Sequence, residues 1–177
     1  LTSTGAQNVM STAISTLNKK GYQIVVVSGE DGELKEQFRR LDIPVIIMRD
    51  IYSKANEFYQ LARWADKIIV NTLFLYYIVE ELLKEKKDVL WWIHETGILE
   101  YLDEEIFRAI ARTSYVSIYA VSPLVKRKVQ TLFGFDLIVN QLIFGIPRYI
   151  LPKNKIREDK KIVFAVIGGI GYIKGQD

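Results

Sequence analysis

The chain has 177 residues, of which 49% are hydrophobic and 25% charged, a composition typical of a globular domain with a sizeable core. It has no cysteine and one histidine, which excludes a disulfide framework, a thiol nucleophile and a metal site built from several histidines. The net charge of +3 is too small to indicate a nucleic-acid partner. Uncharged apolar runs such as Ile68–Val79 fall short of the roughly 20 residues that a membrane span needs.

Short apolar runs alternate with amphipathic segments along the whole chain, and glycine or proline separates many of them. Such alternation is typical of right-handed βαβ units, so the sequence predicts an α/β fold with a doubly wound, Rossmann-like parallel sheet. In chain order the predicted elements are a helix over Val9–Leu17, a strand over Ile24–Val27, a helix over Leu34–Leu41, a strand over Val45–Met48, a helix over Asn56–Ala65, a strand over Lys67–Val70, a helix over Leu73–Lys86, a strand over Val89–Ile93, a helix over Asp103–Ala111, a strand over Ser117–Val121, a helix over Leu124–Phe133, and strands over Leu137–Leu142 and Ile162–Ile167.

Five consecutive apolar residues, Val89–Ile93, lie between a charged segment and Gly97 and predict a short, fully buried strand. The tryptophans of this run, Trp91 and Trp92, are expected in the core rather than at a stacking platform, because helices cover both faces of such a strand.

Polar residues follow three predicted strands at their carboxyl ends, where open α/β sheets bind ligands. His94 can accept or donate a proton near neutral pH and the adjacent Glu95 can tune it, so both are predicted to be catalytic. A histidine that only bonds a loop carbonyl is the structural alternative. Asn71 and Thr72 are predicted to contact substrate. Ser122 has the pattern of a helix N-cap, and its place at a strand end also makes it a candidate binding residue.

Two glycine segments adjoin predicted elements. Gly5 directly precedes the first helix, where free N–H groups and the positive end of the helix can bind an anion; an ordinary helix start is the alternative. Gly169-x-Gly171 follows the last strand, but Lys174 stands where the third glycine of a dinucleotide fingerprint belongs. We therefore expect no dinucleotide cofactor.

The basic residues Lys126, Arg127 and Lys128 are typical of a solvated helix face and can also contact anionic lipid. Since no signal segment opens the chain, we expect a cytoplasmic protein, with peripheral contact at the inner face of the membrane as a further expectation.

Six segments together have a recognisable order and spacing. They are Thr4-Gly5-Ala6, Lys19–Val27, Ile69–Thr72, Trp91–Glu95, Ala120–Pro123 with Phe133-Gly134, and Gly168 with Lys174–Asp177. In this order they resemble the amino-terminal half of a family 4 glycosyltransferase with the two-domain GT-B architecture.

The resemblance implies transfer of a sugar from a nucleotide-sugar to a hydroxyl of a carbohydrate or lipid-linked acceptor, with retained anomeric configuration, in bacterial surface polysaccharide or glycoconjugate synthesis. It implies no metal and no cofactor beside the nucleotide-sugar, since fixed donors, helix N-termini and a lysine can stabilise the departing nucleotide diphosphate. By the same resemblance, Gly5 and Ala6 approach donor phosphates or acceptor, and Gly168 and Lys174 form the phosphate-binding entry to a second domain.

The resemblance and the composition predict three regions: a Rossmann-like, acceptor-side domain over residues 1–147, a linker over 148–161 and the start of a second domain over 162–177. Because the second domain would hold most of the nucleotide, we expect this chain alone to be inactive. The alternatives are a flavodoxin-like or receiver-type binding domain, for which Glu30-Asp31 is the only nearby acidic pair, and a sugar-nucleotide epimerase of the same architecture.

The chain opens at Leu1, in the loop before the first helix, whereas a sheet of this type normally begins with a central strand. We therefore expect Ile24–Val27 and Lys67–Val70 to flank an unfilled slot. Ile162–Ile167 is apolar and ends in a glycine-rich loop, so we hypothesise that it fills the slot, from its own chain or a neighbour's. The alternative is that it begins the second domain.

Overall fold

Helices and parallel strands alternate along the chain in a computed structural model that describes residues 1, 5–49, 55–97 and 104–145, without the side chains of 55–57. These residues belong to one unit, Leu1–Gly145, and the predicted strand over 162–167 lies outside them. The elements are α1 (Gly5–Lys19), β1 (Val26–Ser28), α2 (Leu34–Arg39), β2 (Val45–Ile47), α3 (Ala55–Trp64), β3 (Lys67–Asn71), a 3₁₀ turn (Leu73–Leu75), α4 (Tyr76–Lys84), β4 (Asp88–Ile93), α5 (Glu104–Ala111), β5 (Val116–Ala120), α6 (Pro123–Phe133) and β6 (Val139–Gln141).

The described strands form two parallel sheets. β1 pairs with β2, and the other sheet has the order β3-β4-β5-β6. The α/β prediction is therefore confirmed. Within the described residues, β1 and β3 each have one edge without a strand partner, but so do β2 and β6, so the expectation that β1 and β3 flank an unfilled slot stays a prediction. The segment hypothesised to fill that slot, Ile162–Ile167, lies outside the described residues, so that hypothesis stays a prediction.

The main core lies on one face of the four-stranded sheet, beneath α4, α5 and α6. Trp91 is fully buried, and its ring centroid lies 5.3 Å from that of Phe107, which stacks on Phe133 at 4.0 Å. Val89 and Ile93, on the same face of β4 because alternate residues point the same way, are fully buried too. Both tryptophans lie in the core, as predicted, since Trp92 on the other face is only 3% exposed. The predicted strand is not fully buried, because Leu90 is half-buried.

A smaller core joins the other sheet to the first two helices. Ile14 of α1 packs with Leu34 and Phe38 of α2 and with Ile43, which precedes β2. Helix α1 also reaches the larger sheet, where the Asn71 side-chain amide donates to the Ala6 carbonyl at 3.3 Å. The start of α1 therefore lies beside the carboxyl end of β3.

The ends of α1 and α6 follow local signals. α1 ends at Lys19, and the predicted stop Gly21 adopts φ +85°, which a glycine tolerates without a Cβ clash. Among the described residues, no helix is both long and apolar enough to cross a membrane.

Several predicted boundaries were wrong, among them the start of α1, which lies at Gly5 rather than Val9, and three others have an identifiable cause. β1 starts at Val26 rather than Ile24, because its ladder begins where Val26 N–H donates to the Pro44 carbonyl at 2.9 Å. β6 is Val139–Gln141 rather than Leu137–Leu142, because the Leu137 N–H turns back to the Gly134 carbonyl at 3.2 Å. The helix predicted over Leu73–Lys86 begins as a separate 3₁₀ turn. This turn directly follows Thr72, whose φ of 95° lies outside the helical region.

Candidate functional site at the carboxyl edge of the sheet

The carboxyl ends of β3, β4 and β5 bring most predicted site residues to one edge. Asn71 ends β3 in register with Trp92, and β4 ends at Ile93, directly before His94 and Glu95. Ser122 lies two residues beyond the end of β5. The position predicted for these residues, at neighbouring strand ends, is therefore the one that the structure shows.

Glu95 is bonded to the chain around it rather than to the imidazole of His94. Its carboxylate accepts hydrogen bonds from the Thr72 hydroxyl, from the Leu73 N–H at 2.9 Å and from the His94 backbone N–H at 3.1 Å. Glu95 thus contacts His94 through the backbone N–H, and its charge acts on the imidazole through space.

Thr72 has a backbone conformation that a β-branched residue rarely adopts. Its φ is 95° and its ψ 147°, in the region that favours glycine. Such a residue costs on the order of 1–3 kcal/mol and persists only where its surroundings hold it. Besides the bond to Glu95, three hydrogen bonds hold Thr72 in this conformation. The Thr72 N–H donates to the Trp92 carbonyl at 2.9 Å, the Thr72 carbonyl accepts from Trp91 Nε1 at 3.0 Å, and the Thr72 hydroxyl accepts from the Phe74 N–H at 3.3 Å.

His94 is half-buried, and its ring centroid lies 4.9 Å from that of Trp92. Burial lowers the pKa of His94 from its ordinary value, and the nearby Glu95 carboxylate offsets only part of that shift. The ring is therefore neutral at pH 7. Its Nε2 atom is shielded from solvent and has no hydrogen-bond partner among the described residues.

Two more polar atoms at these strand ends are shielded and lack a partner in the described part of the chain: Asn71 Oδ1 and Trp92 Nε1. Asn71 and Trp92 are register partners, so they share one face of the sheet, and His94 follows Trp92 by two residues. The set offers one acceptor, one N–H donor and an imidazole nitrogen. The sequence predicted Trp92 only as a core residue; the signal that would have identified its indole N–H is the two-residue spacing to His94.

The first turn of α1 reaches Asn71 through the Ala6 carbonyl, and this part of the helix carries further polar groups. Gly5 is exposed, and a Cβ built on it would meet no atom of the described residues within 4 Å. Gln7 Oε1 and Ser11 Oγ are shielded, again without a partner among the described residues. Of the predicted binding pair, Ala6 is tied to Asn71 through its carbonyl, while Gly5 leaves open space at the helix start.

Ser122 acts as a helix cap. Its hydroxyl accepts from the Val125 N–H at 3.2 Å, and Pro123 occupies the first helical turn, so the capping prediction is confirmed. The other two predicted binding residues, Gly168 and Lys174, lie outside the described residues.

Elsewhere in the described part of the chain, no group of three or more His, Asp or Glu side chains is placed to hold a metal ion. A groove of about 540 Å³ lies between α1 and α2, away from the strand ends. Its lining residues are Ser15, Glu33, Glu36, Gln37, Arg40 and Leu41.

Comparison with known proteins gives one match. The sequence profile of a family described as Glycosyl-transferase family 4 matches residues 1–116. The matched region includes both α1 and the strand ends of β3 and β4, and it stops before Ser122. No curated protein and no solved structure matches the chain.

Proposed function

The chain belongs to glycosyltransferase family 4, and from this membership we propose that it forms the acceptor-side half of an enzyme that moves a sugar from a nucleotide-sugar to a hydroxyl acceptor. The proposal includes retention of anomeric configuration, independence of a bound metal, and a role in bacterial surface polysaccharide or glycoconjugate synthesis. The family match favours this function over the flavodoxin-like, receiver-type and epimerase alternatives.

The observation that carries the proposal is the set of three shielded polar atoms on Asn71, Trp92 and His94. Buried polar atoms in folded proteins are nearly always hydrogen-bonded, so each of these calls for a partner. A sugar hydroxyl donates and accepts at once, so it can pair with an amide oxygen, an indole N–H or an imidazole nitrogen once the site opens to admit it. This supports a carbohydrate hydroxyl as the group bound here.

Neutral His94 would act in this site as a hydrogen-bonding group that orients the transferred sugar or the acceptor hydroxyl. The start of α1, with Gly5 and Ala6, would face the anionic part of the donor, because helix N-termini attract negative charge. Gly168 and Lys174 are proposed to complete stabilisation of the departing nucleotide diphosphate from the second domain.

A carbohydrate or lipid-linked acceptor is proposed as the second substrate. Leu124 on the first turn of α6 is 67% exposed and lies next to the basic cluster that contains Lys126 and Arg127. An exposed apolar residue beside basic side chains supports peripheral contact of this helix with an anionic membrane.

The test is a donor screen on the complete gene product. A panel of nucleotide-sugars is incubated with lipid-linked and free sugar acceptors, with and without EDTA, and products are detected by mass spectrometry. Transfer that persists in EDTA is expected, and NMR of the new linkage should show the anomeric configuration of the donor. If neither sugar transfer nor donor hydrolysis is detected with any donor, the proposal is contradicted.

A further inference from the structure

We propose that Glu95 and Thr72 form a positioning pair: the Glu95 carboxylate holds the strained Thr72 backbone and thereby fixes Asn71 and His94 relative to each other. The effect on sugar transfer rests on the function proposed above, whereas the effect on folding does not. The proposal gives Glu95 a role different from the catalytic one predicted from sequence.

The bonding of Glu95 supports a structural role. Both carboxylate oxygens are engaged: Oε1 by the Thr72 hydroxyl, and Oε2 by the backbone N–H groups of Leu73 and His94. These donors belong to the segment after β3 and to the first residue after β4. The carboxylate therefore joins two strand ends, and three of its approximately four lone-pair sites are occupied before any substrate arrives.

The strained backbone of Thr72 explains why a link between the two strand ends is needed. A φ of 95° is unfavourable for threonine, so the turn after β3 would relax if its restraints were removed. Trp91 and Trp92 restrain Thr72 through its carbonyl and N–H, and Glu95 restrains it through the hydroxyl. These three residues lie on β4 or within two residues of its end, and the remaining restraint, from the Phe74 N–H, lies within the turn itself.

The location of the pair connects it to the site. Thr72 is bonded covalently to Asn71, and Glu95 to His94, so relaxation of the turn would move one candidate ligand-binding side chain relative to the other. A displacement of about 1 Å at a reacting centre can lower turnover by about 10²-fold. A positioning residue can thus be needed for turnover without touching the substrate.

The variants Glu95→Gln and Glu95→Ala distinguish a positioning role of Glu95 from a catalytic one. The glutamine oxygen can still accept from Leu73 and His94, and its amide can donate to the Thr72 hydroxyl, but its charge is absent. We expect E95Q to keep kcat at pH 7 within about threefold of wild type and to shift the acid limb of kcat/KM to lower pH, because loss of the carboxylate charge lowers the pKa of His94 further. E95A should lower kcat by about 10²-fold. A folded E95Q variant as inactive as E95A would overturn the proposal.

Thr72→Gly provides a second test that survives poor folding of E95A. Glycine adopts positive φ without strain, so a turn with glycine needs the carboxylate less. In a double-mutant cycle, E95A should lower Tm by several degrees in the wild-type background and clearly less in the T72G background, with a parallel recovery of kcat. Additive effects on Tm would contradict the pairing. A Tm measurement needs no substrate, so it tests the pairing even if the wild-type protein transfers no sugar. Lack of transfer would contradict the proposed function but not the pairing of Glu95 with Thr72.

Discussion

At the scale of single residues, His94 is the side chain whose replacement should affect activity most and stability least. Its Nε2 atom has no partner among the described residues, so truncation removes no described protein hydrogen bond of the ring. We expect His94→Ala to depress kcat strongly at nearly unchanged Tm, and His94→Gln to recover part of the activity as a neutral hydrogen-bonding group. A variant that loses stability but keeps its specific activity would show a structural histidine.

The titration of His94 gives a prediction on stability against pH. Burial lowers its pKa in the folded protein, whereas the unfolded chain takes up the proton near the ordinary value of about 6.5. The unfolded state therefore binds more protons below that value, and stability is lost as the pH falls from about 6.5 through the folded-state pKa. Thermal denaturation between about pH 8 and pH 5 should show a steeper loss for wild type than for His94→Gln. Parallel curves would contradict the assignment.

Gly5 distinguishes a ligand-binding helix start from an ordinary one. Because a Cβ there meets no atom within 4 Å in the described part of the chain and alanine favours helices, Gly5→Ala should leave Tm unchanged or slightly raised. If donor phosphates or acceptor approach this backbone, the added methyl group should raise KM severalfold. Unchanged kinetics for both substrates would indicate that Gly5 only begins the helix.

At the scale of elements, the packing of α5 between β4 and α6 should dominate stability. Phe107 is 1% exposed between Trp91 and Phe133, so Phe107→Ala should cost about 3–5 kcal/mol in the free energy of urea unfolding. Phe135→Ala is the matched control, because Phe135 is 75% exposed, and its change should stay within about 0.5 kcal/mol. Equal costs for the two variants would contradict this account of the core.

At the scale of the whole molecule, the open edges of β1 and β3 make the hypothesis about Ile162–Ile167 testable. The chain has no native cysteine, so Ile69→Cys with Ala165→Cys places the only thiols on β3 and on the candidate strand. If that strand fills the slot, oxidation should form a disulfide, within one chain or between two, as a non-reducing gel distinguishes. Failure to form either bond would favour the alternative, in which this segment begins the second domain.

The proposed division of labour between two domains predicts weak nucleotide binding by the 177-residue chain itself. Calorimetry with nucleoside diphosphates and nucleotide-sugars should detect little or no heat of binding, because most contacts to the nucleotide would come from the second domain. Micromolar affinity would contradict this division.

Local signals explain what the sequence alone determined. The alternation of helix and strand follows from apolar periods that differ between the two, and the Ser122 cap and the Gly21 stop act within a few residues of themselves. The burial of β4 was predictable because five adjacent apolar residues cannot all face water. His94 and Asn71 could be predicted to lie at the same edge, because the carboxyl ends of parallel strands meet there.

Tertiary structure decided what depends on residues far apart in the chain. Glu95 meets Thr72 across 23 positions, and Asn71 meets Ala6 across 65, so neither bond can be read from local spacing. The ladder contacts that set the start of β1 and the restraints that hold Thr72 at positive φ likewise depend on neighbouring strands. The sequence spacing places Trp92 two residues before His94, but only the strand register sets Trp92 opposite Asn71. Sequence patterns specify which residues are buried, whereas strand register specifies which polar groups meet.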